Sequence, residues 1–252
     1  FRGGAEIYGS TIIPQEWTLQ NYIDLFTGSG GTASLNFPRW FLNTFVVACF
    51  SCVISTISVL MVSYAFSRLR FKARKKFMNV GMILGMFPGF MTMIAIYYLL
   101  KAMGLTQTLV ALVICYSCGA GLGFQISKGF FDTIPRALDE AATIDGATKN
   151  QIFWKIILPV SKPGIVTACI FLVINSWNEL LFANLLNQSD SSRTIQVAIR
   201  SFLTTFEANY AYAFAAMVIS ILPTIIIYAL LTDRIIGGMT LSLIHISEPT
   251  RL

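Results

Sequence analysis

The chain has 252 residues, of which 55% are hydrophobic and only 12% are charged, and its mean hydropathy is +0.68. A soluble domain of this length does not need so much apolar surface, so the composition excludes an ordinary soluble protein and predicts an integral membrane protein. The formal net charge of +6 follows the loops between apolar segments, which favours a signal of membrane orientation over nucleic-acid binding.

The first 39 residues precede the apolar segments, and we expect them to form an extracytoplasmic segment. A segment on that side needs either a cleaved signal or an earlier membrane span. No signal peptide precedes Phe1 in this sequence, so we expect the full protein to carry an additional helix before residue 1.

Five apolar segments predict an all-α, polytopic membrane protein. Four of them lack Asp, Glu, Lys and Arg over 24 to 28 residues each: residues 40–67, 77–100, 102–127 and 208–232. The remaining segment, residues 163–186, is the fourth in chain order and is interrupted by Asn175, Asn178 and Glu179. Because about 20 apolar residues cross a bilayer as a helix, we expect five transmembrane helices.

The short loops alternate between rich and poor in Lys and Arg, which predicts their sides of the membrane. Residues 68–76 contain six basic residues and no acidic one, and residues 128–162 contain five basic residues. The loop between the second and third segments holds only Lys101, and the loop after the fourth holds only Arg193 and Arg200. The two basic loops are therefore predicted to be cytoplasmic.

The loop at residues 128–163 reads as two short helices joined by a tight turn. Asp132-Thr133, followed by Pro135, is typical of a helix start. The first helix is expected over residues 136–143, and the Asp145-Gly146 pair ends it because glycine accepts a positive φ. The second helix is expected over residues 147–157. Physical reasoning alone leaves two interpretations open: a surface that docks on a partner, or a solvated loop.

The fourth apolar segment contains a polar cluster within the membrane, namely Asn175, Trp177, Asn178 and Glu179. An acidic residue at mid-bilayer is costly unless it faces protein or water. The cluster is therefore either part of a translocation path or a set of hydrogen bonds between helices.

Catalytic and metal-binding residues are sparse. Cys49 and Cys52, and likewise Cys115 and Cys118, have a C-x-x-C spacing, but both pairs lie in predicted spans rather than in the water-accessible loops typical of zinc sites. The only histidine, His245, lies in residues 241–252, which resemble a translated sequencing adaptor and which we expect to be a non-native tail. We predict no metal, no catalytic residue and no cofactor in this chain.

A longer pattern resembles a known family. The residues Glu140-Ala141-Ala142, Asp145-Gly146-Ala147 and Leu158-Pro159 are similar to the EAA signature of ABC importer permeases, in the variant typical of the carbohydrate, maltose-type inner-membrane group. Segments elsewhere agree with this resemblance: Trp17-Thr18-Leu19, Trp40 to Thr44, Ser176-Trp177-Asn178-Glu179 and Gly237 to Thr240. The resemblance implies a transmembrane permease domain over residues 40–240, with six helices in the family against the five seen here.

The resemblance also implies a mechanism. The EAA loop, residues 128–163, would be a coupling helix on a cytosolic ABC ATPase dimer, which supplies ATP and Mg²⁺ chemistry. A second permease subunit would complete the channel in the lipid bilayer, and an extracytoplasmic solute-binding protein would deliver a sugar. The residues expected to couple to the ATPase subunit are Glu140, Ala141, Ala142, Asp145, Gly146, Ala147, Leu158 and Pro159.

Three alternatives stay open at this point. One is an ABC importer permease for another small solute, such as a polyamine or an amino acid. Another is an ion-coupled secondary carrier, which would normally place several ionisable residues in its spans; only Glu179 is available here. The third is a structural membrane scaffold that holds anionic lipid through the basic loop at residues 68–76.

Overall fold

The computed structural model describes residues 17–28, 36–118, 123–204 and 210–244, and every regular element in these ranges is a helix. The elements are α1 Gln20–Thr27, α2 Phe37–Arg68, α3 Arg74–Gly85, α4 Gly89–Ala102, α5 Leu109–Cys118, α6 Gly123–Thr133, α7 Ala137–Ile144, α8 Lys149–Ile152, α9 Leu158–Val160, α10 Lys162–Asn178, α11 Leu181–Leu186, α12 Ile195–Thr204 and α13 Tyr210–Ile244. A π-helical turn, Phe153–Ile157, joins α8 to α9. The predicted all-α class is confirmed. The expectations for residues 1–16 and for His245 lie outside the described residues.

Two helices are long, apolar and unbroken. They are α2 and the part of α13 over Tyr210–Leu230, and they match the first and last predicted spans. A proline in the first turn of α2 suits its start, because that turn has backbone N–H groups without intrahelical partners. Pro223 lies inside α13, and the helix continues past it.

Two of the other predicted spans are interrupted. Helices α3 and α4 meet at a bend of 100°, and Pro88 takes an extended ψ of 127° just before α4. Proline lacks a backbone donor and disfavours helical geometry in the residue before it, which accounts for the break in the predicted span 77–100. The predicted span 102–127 contains α5 and the start of α6, and its residues 119–122 lie outside the described ranges.

The fourth predicted span is also two helices. Helix α10 ends at Asn178, and Glu179 then has an extended ψ of 124° before α11 begins at Leu181. In the described residues, two helices, or up to four when each bent pair counts as one span, are long and apolar enough to cross a bilayer. The number five therefore stays a prediction.

Helix α2 is the central element of the fold, because it contributes to all three buried clusters. Phe37 and Trp40 pack with α1, α12 and α13. Val47 packs with α4, α5, α11 and α12. Leu60 and Tyr64 pack with α6, α7, α8 and the π-helical turn. A single 32-residue helix thus connects one end of the molecule to the loop that carries the EAA-like residues.

Polar contacts at the amino-terminal end of α2 fix the loop between α11 and α12. The Trp40 Nε1 donates to Asp190 Oδ1 at 3.1 Å, and the Asn43 amide donates to the Arg193 carbonyl at 2.9 Å. The Ile195 N–H donates to Thr44 Oγ1 at 2.9 Å. The basic loops at residues 68–76 and 128–162 meet at the carboxyl-terminal end of α2. The charge pattern predicts that these two loops lie on the same side of the membrane.

Candidate functional site

The EAA-like loop forms a helix–turn–helix. Helix α7 covers Ala137–Ile144, and Gly146 follows it with φ +80°, a left-handed conformation that glycine adopts without strain. The predicted break at Asp145-Gly146 is therefore present in the structure. The Gly146 and Ala147 N–H groups donate to the Thr143 and Ala142 carbonyls at 3.1 and 2.9 Å, which satisfies two carbonyls at the end of α7.

A capping box starts the second helix of the loop. The Gln151 N–H donates to Thr148 Oγ1 at 3.3 Å, and the Thr148 N–H donates to Gln151 Oε1 at 2.7 Å. This reciprocal pair satisfies two backbone donors. The helix does not end at Leu158-Pro159 as expected, because it continues through α9 to Val160. Pro159 lies inside this continuous helix, directly after the π-helical turn.

The expected helix start at Asp132-Thr133 is wrong. Both residues lie in the last turn of α6, and Arg136, without a side-chain hydrogen bond, precedes α7. The Asp132 carboxylate instead accepts from Ser67 Oγ at 2.6 Å and pairs with Lys128. Burial raises the pKa of Asp132, but the hydrogen bonds from Lys128 and Ser67 outweigh it and hold that pKa below its ordinary value. Asp132 therefore ties α6 to the end of α2.

Arg68, at the end of α2, holds the loop in place. Its Nη2 donates to the Phe131 carbonyl at 2.9 Å and to the Ile134 carbonyl at 2.7 Å, and its Nε lies 3.4 Å from Asp139 Oδ2 on α7. The side chains of Arg68 and Asp139 are only 5% and 15% exposed. One guanidinium thus links three consecutive parts of the chain: α6, the α6–α7 connection and α7.

The sequence interpretation missed this role of Arg68, because it counted Arg68 only as one of six cytoplasmic charges. Four helices, α3 to α6, lie between Arg68 and Asp139 in the sequence. No local pattern therefore predicts the contact between these two residues. The available signal was the absence of any charged residue between 40 and 67, which makes Arg68 the first charged residue after that apolar run, at the last position of α2.

An apolar cluster supports the same attachment. Ala142, Ile152, Phe153 and Ile157 are buried against Leu60 and Tyr64 of α2. The Tyr64 ring lies 4.9 Å from that of Phe153, and its hydroxyl donates to the Lys149 carbonyl at 3.3 Å. Within the π-helical turn, Phe153 is buried, whereas Trp154 is 47% exposed.

Most of the remaining EAA-like residues face outward. Glu140, Ala141, Asp145, Gly146 and Pro159 are exposed, whereas Ala147 and Leu158 are partly buried and pack against the apolar cluster. Ile144, at the end of α7, is 86% exposed. The loop therefore presents one slim, partly apolar face to the outside, while Ala142 on its other face is buried.

The polar cluster of the fourth predicted span separates into two kinds of residue. Trp177 is 3% exposed, its Nε1 donates to the Ser220 carbonyl at 3.0 Å, and its ring contacts that of Phe41 at 5.2 Å. Asn175 and Asn178 are exposed. Trp177 therefore packs between helices, against α13 and α2.

Glu179 caps a helix. Its carboxylate accepts from the Phe182 N–H at 2.8 Å and the Ala183 N–H at 3.1 Å, at the start of α11. The Tyr116 hydroxyl of α5 donates to it at 2.6 Å. Backbone donors and a phenol stabilise a carboxylate in an apolar setting, which explains how the break between α10 and α11 is held.

The cysteines lie on helices rather than in loops. Cys52 and Cys115 are buried, and Cys49 and Cys118 are exposed on α2 and α5. Within the residues that the structure describes, no group of three or more potential metal-ligating His, Cys, Asp or Glu side chains comes together. The expectation that this chain holds neither a metal nor a cofactor stays a prediction.

Comparison with known proteins places this geometry in a family. The sequence profile of the binding-protein-dependent transport system inner membrane component family matches residues 33–240. The chain is 31% identical over 243 residues to the galactooligosaccharides transport system permease protein of Bacillus subtilis, covering 95% of this chain and 84% of that protein. It is 32% identical over 226 residues to the maltodextrin transport system permease protein of the same organism, covering 89% and 79%.

A solved structure shows the same fold. It is a bacterial ABC transporter involved in the import of the acidic polysaccharide alginate, with a TM-score of 0.80 at 23% identity over 92% of this chain and 85% of that one. The family match covers most of the chain, including all of α2, the EAA-like loop and the fourth predicted span. The chain therefore belongs to the binding-protein-dependent transport system inner membrane components, and it is a multi-pass permease subunit of an ABC importer in the inner membrane.

Proposed function

We propose that this permease subunit carries a sugar or an oligosaccharide that an extracytoplasmic binding protein delivers. The support is the naming of its relatives: permease proteins at 31% and 32% identity serve galactooligosaccharides and maltodextrin. The likeness to the alginate importer, at 23% identity, supports the fold and not the substrate. Polyamine or amino-acid import is the competing substrate class, and no contact in the described residues favours it.

Coupling to a separate ATPase dimer, which would hold the ATP and Mg²⁺, is the second part of this proposal. The observation that carries it is the exposure of Ile144. This side chain is 86% exposed at the end of α7, whose opposite face is buried. A single exposed apolar side chain is ordinary on a protein surface. In this proposal Ile144 marks a docking surface because it lies among the EAA-like residues Glu140 to Gly146. Glu140 and Asp145, both exposed beside it, would then lie at the rim of that contact.

A force applied to α7 has a short path into the membrane. Asp139 on α7 pairs with Arg68 of α2, and Ala142 packs in the same cluster as Leu60 and Tyr64. Because α2 also contributes to the two other clusters, displacement of α7 would be transmitted along a single helix to the opposite end of the molecule. A second permease subunit would complete the channel beside these helices.

The substrate test is transport by the assembled importer. The chain is purified with its partner subunits from its native cell, reconstituted in liposomes, and supplied with ATP and the binding protein. We expect uptake of a labelled oligosaccharide and none of a labelled polyamine or amino acid. Uptake of a polyamine or an amino acid alone would refute the sugar assignment and leave the importer role intact.

The coupling test is a matched pair of variants. Ile144→Arg places a charge at the proposed ATPase contact, and Val160→Arg places the same charge at another exposed apolar position of the loop, 51% exposed on α9. We expect Ile144→Arg to lower co-purification of the ATPase at least tenfold, and Val160→Arg to leave it near wild type. Equal losses in the two variants would contradict the assignment of α7 as the docking helix.

A further inference from the structure

The basic segment after α2 contains more charge than the fold uses. Residues 68–76 include six basic residues and no acidic one: Arg68, Arg70, Lys72, Arg74, Lys75 and Lys76. Arg68 is buried and bonded to the EAA-like loop. Arg74 is half-buried and close enough to Asp132 to help lower the pKa of that carboxyl. The contacts of the fold do not account for the other four residues, Arg70, Lys72, Lys75 and Lys76.

These four cations have no acidic partner in the described chain. Arg70, Lys72, Lys75 and Lys76 are all exposed. The two ion pairs in the described residues use Arg68 with Asp139 and Lys128 with Asp132. A concentrated positive charge that the protein does not neutralise attracts an external anion.

Apolar side chains alternate with these cations and are exposed too. Leu69, Phe71 and Phe77 are 36%, 38% and 60% exposed, and the Phe71 ring contacts the Phe66 ring of α2 at 5.4 Å. A soluble acidic partner would neutralise the cations but has no reason to leave three large apolar groups at the same surface. The boundary between headgroups and acyl chains accommodates both kinds of side chain.

The position along the chain agrees with that boundary. The segment follows α2, which is long and apolar enough to cross a bilayer, and it leads into α3, whose exposed residues include Val80, Met82, Ile83 and Leu84. Basic clusters directly beyond a membrane span bind anionic lipid headgroups. Positive-inside topology explains why such charge is cytoplasmic, but it does not require aromatic side chains among the charges.

We propose that residues 69–77 form a binding surface for anionic phospholipid, with the phosphates between Arg70, Lys72, Lys75 and Lys76 and with Phe71 and Phe77 in the acyl-chain boundary. The same segment follows Arg68 directly, so the lipid surface lies next to the attachment of the EAA-like loop. This surface does not depend on which solute the importer carries.

The test compares two lipids on the full chain, purified in mild detergent. Equilibrium binding of fluorophore-labelled phosphatidylglycerol is measured beside labelled phosphatidylcholine in mixed micelles. Each basic residue near a membrane surface strengthens anionic-lipid binding about fivefold. We therefore expect the triple variant Lys72→Gln, Lys75→Gln and Lys76→Gln to reduce the preference for phosphatidylglycerol at least tenfold. This variant keeps Arg68, Arg70 and Arg74, and with them the orientation signal.

The control variant removes three exposed cations from the EAA-like loop, namely Arg136→Gln, Lys149→Gln and Lys155→Gln, and we expect it to keep the preference. Replacing Lys72, Lys75 and Lys76 with Arg is also expected to preserve it. Raising the salt concentration towards 1 M shortens the Debye length to about 3 Å and should weaken the preference in the wild type.

Three outcomes would overturn the proposal. The first is equal binding of the two lipids by the wild-type chain. The second is an equal loss in the test and control triple variants. The third is displacement of the lipid by inorganic phosphate at constant ionic strength, which would assign the cations to a soluble anion.

Discussion

A single side chain, Arg68, holds three parts of the chain together at the end of α2. Its planar guanidinium donates from Nη2 to two carbonyls, at 2.9 and 2.7 Å, and directs Nε towards Asp139 at 3.4 Å. A lysine offers a single ammonium group and cannot reproduce this fork. The Arg68 Nε and Asp139 Oδ1 atoms lack a hydrogen bond in this conformation, so the pair is not at its tightest geometry.

The expected result of Arg68→Ala is a loss of about 3 kcal/mol in the free energy of unfolding, because it leaves a buried carboxylate and two carbonyls without their partner. Arg68→Lys should recover only part of this. Chemical unfolding in detergent measures both, and hydrogen exchange of residues 137–144 should rise in both variants. The control Arg70→Ala, at an exposed position without an ion pair, should stay within about 0.5 kcal/mol of the wild type. Equal losses at positions 68 and 70 would contradict this role.

Gly146 matters through its backbone. Its φ is +80°, and a Cβ built there meets nothing within 4 Å, so a side chain would be strained rather than crowded. Gly146→Val should cost about 1–2 kcal/mol, tilt α7 and reduce uptake while the protein still inserts. Gly146→Asp should reduce uptake less, since Asp tolerates this region better. Uptake is normalised to the amount in the membrane.

The matched control for Gly146 is Gly129→Ala on α6, where φ is not positive and a Cβ also meets nothing within 4 Å. That change should be neutral or slightly stabilising, because alanine favours helix. Normal uptake by Gly146→Val would show that the turn does not control the position of α7.

Asn178 tests the proposed translocation path. Asn178 is exposed, and its amide donates to the Ile174 carbonyl of its own helix at 3.0 Å. In the described residues, its hydrogen bond to another helix is a long one, from the Gln196 amide to Asn178 Oδ1 at 3.5 Å. Asn178→Leu therefore removes little packing between helices. We expect this variant to assemble normally but to transport at a several-fold lower rate. Ser176→Ala, on the same helix, is the control. Unchanged uptake by Asn178→Leu would remove Asn178 from the path.

At the scale of elements, the break between α10 and α11 depends on a single carboxylate. Glu179 accepts two N–H groups of α11 and the Tyr116 hydroxyl of α5, so it fixes both the start of one helix and its distance from another. Burial of Ala183 and Leu186 in the second cluster completes the packing of α11. A continuous helix through residues 163–186 could not place these groups in the same way.

Glu179→Gln should lower stability by about 1 kcal/mol, because an amide oxygen accepts more weakly than a carboxylate, and Glu179→Ala by about 2 kcal/mol. Tyr116→Phe should cost less, since it removes only one of the three donors. Combining Glu179→Ala with Tyr116→Phe should cost less than the sum, and thermal unfolding in detergent measures the cycle. Strict additivity would mean that the 2.6 Å contact contributes nothing.

At the scale of the whole molecule, the sequence predicted what depends on composition and local pattern. The helical class, the two unbroken spans, the α7–α8 turn at Gly146 and the pairing of the two basic loops were all available from hydropathy, glycine and charge. The bend next to Pro88 was signalled only by the proline itself. The break at Glu179 was not predicted, because an apolar run looks continuous whether or not the backbone is. The Arg68–Asp139 pair joins residues 71 positions apart, and no periodicity reports such a contact.

The same molecule-wide arrangement predicts opposite membrane sides for two exposed residues. Lys155 lies in the π-helical turn of the EAA-like loop, at the basic end of α2, and Gln188 lies in the loop that is held against Trp40 and Gln107 at the other end. We expect Gln188→Cys to react with a membrane-impermeant maleimide in intact spheroplasts. We expect Lys155→Cys to react only after the spheroplast membrane is permeabilised. The unsubstituted chain is the control for its five native cysteines, all of which lie in helices. Labelling of both positions from one side would contradict the predicted orientation, and labelling of Lys155→Cys in intact spheroplasts would also remove any route by which a cytosolic ATPase could reach α7.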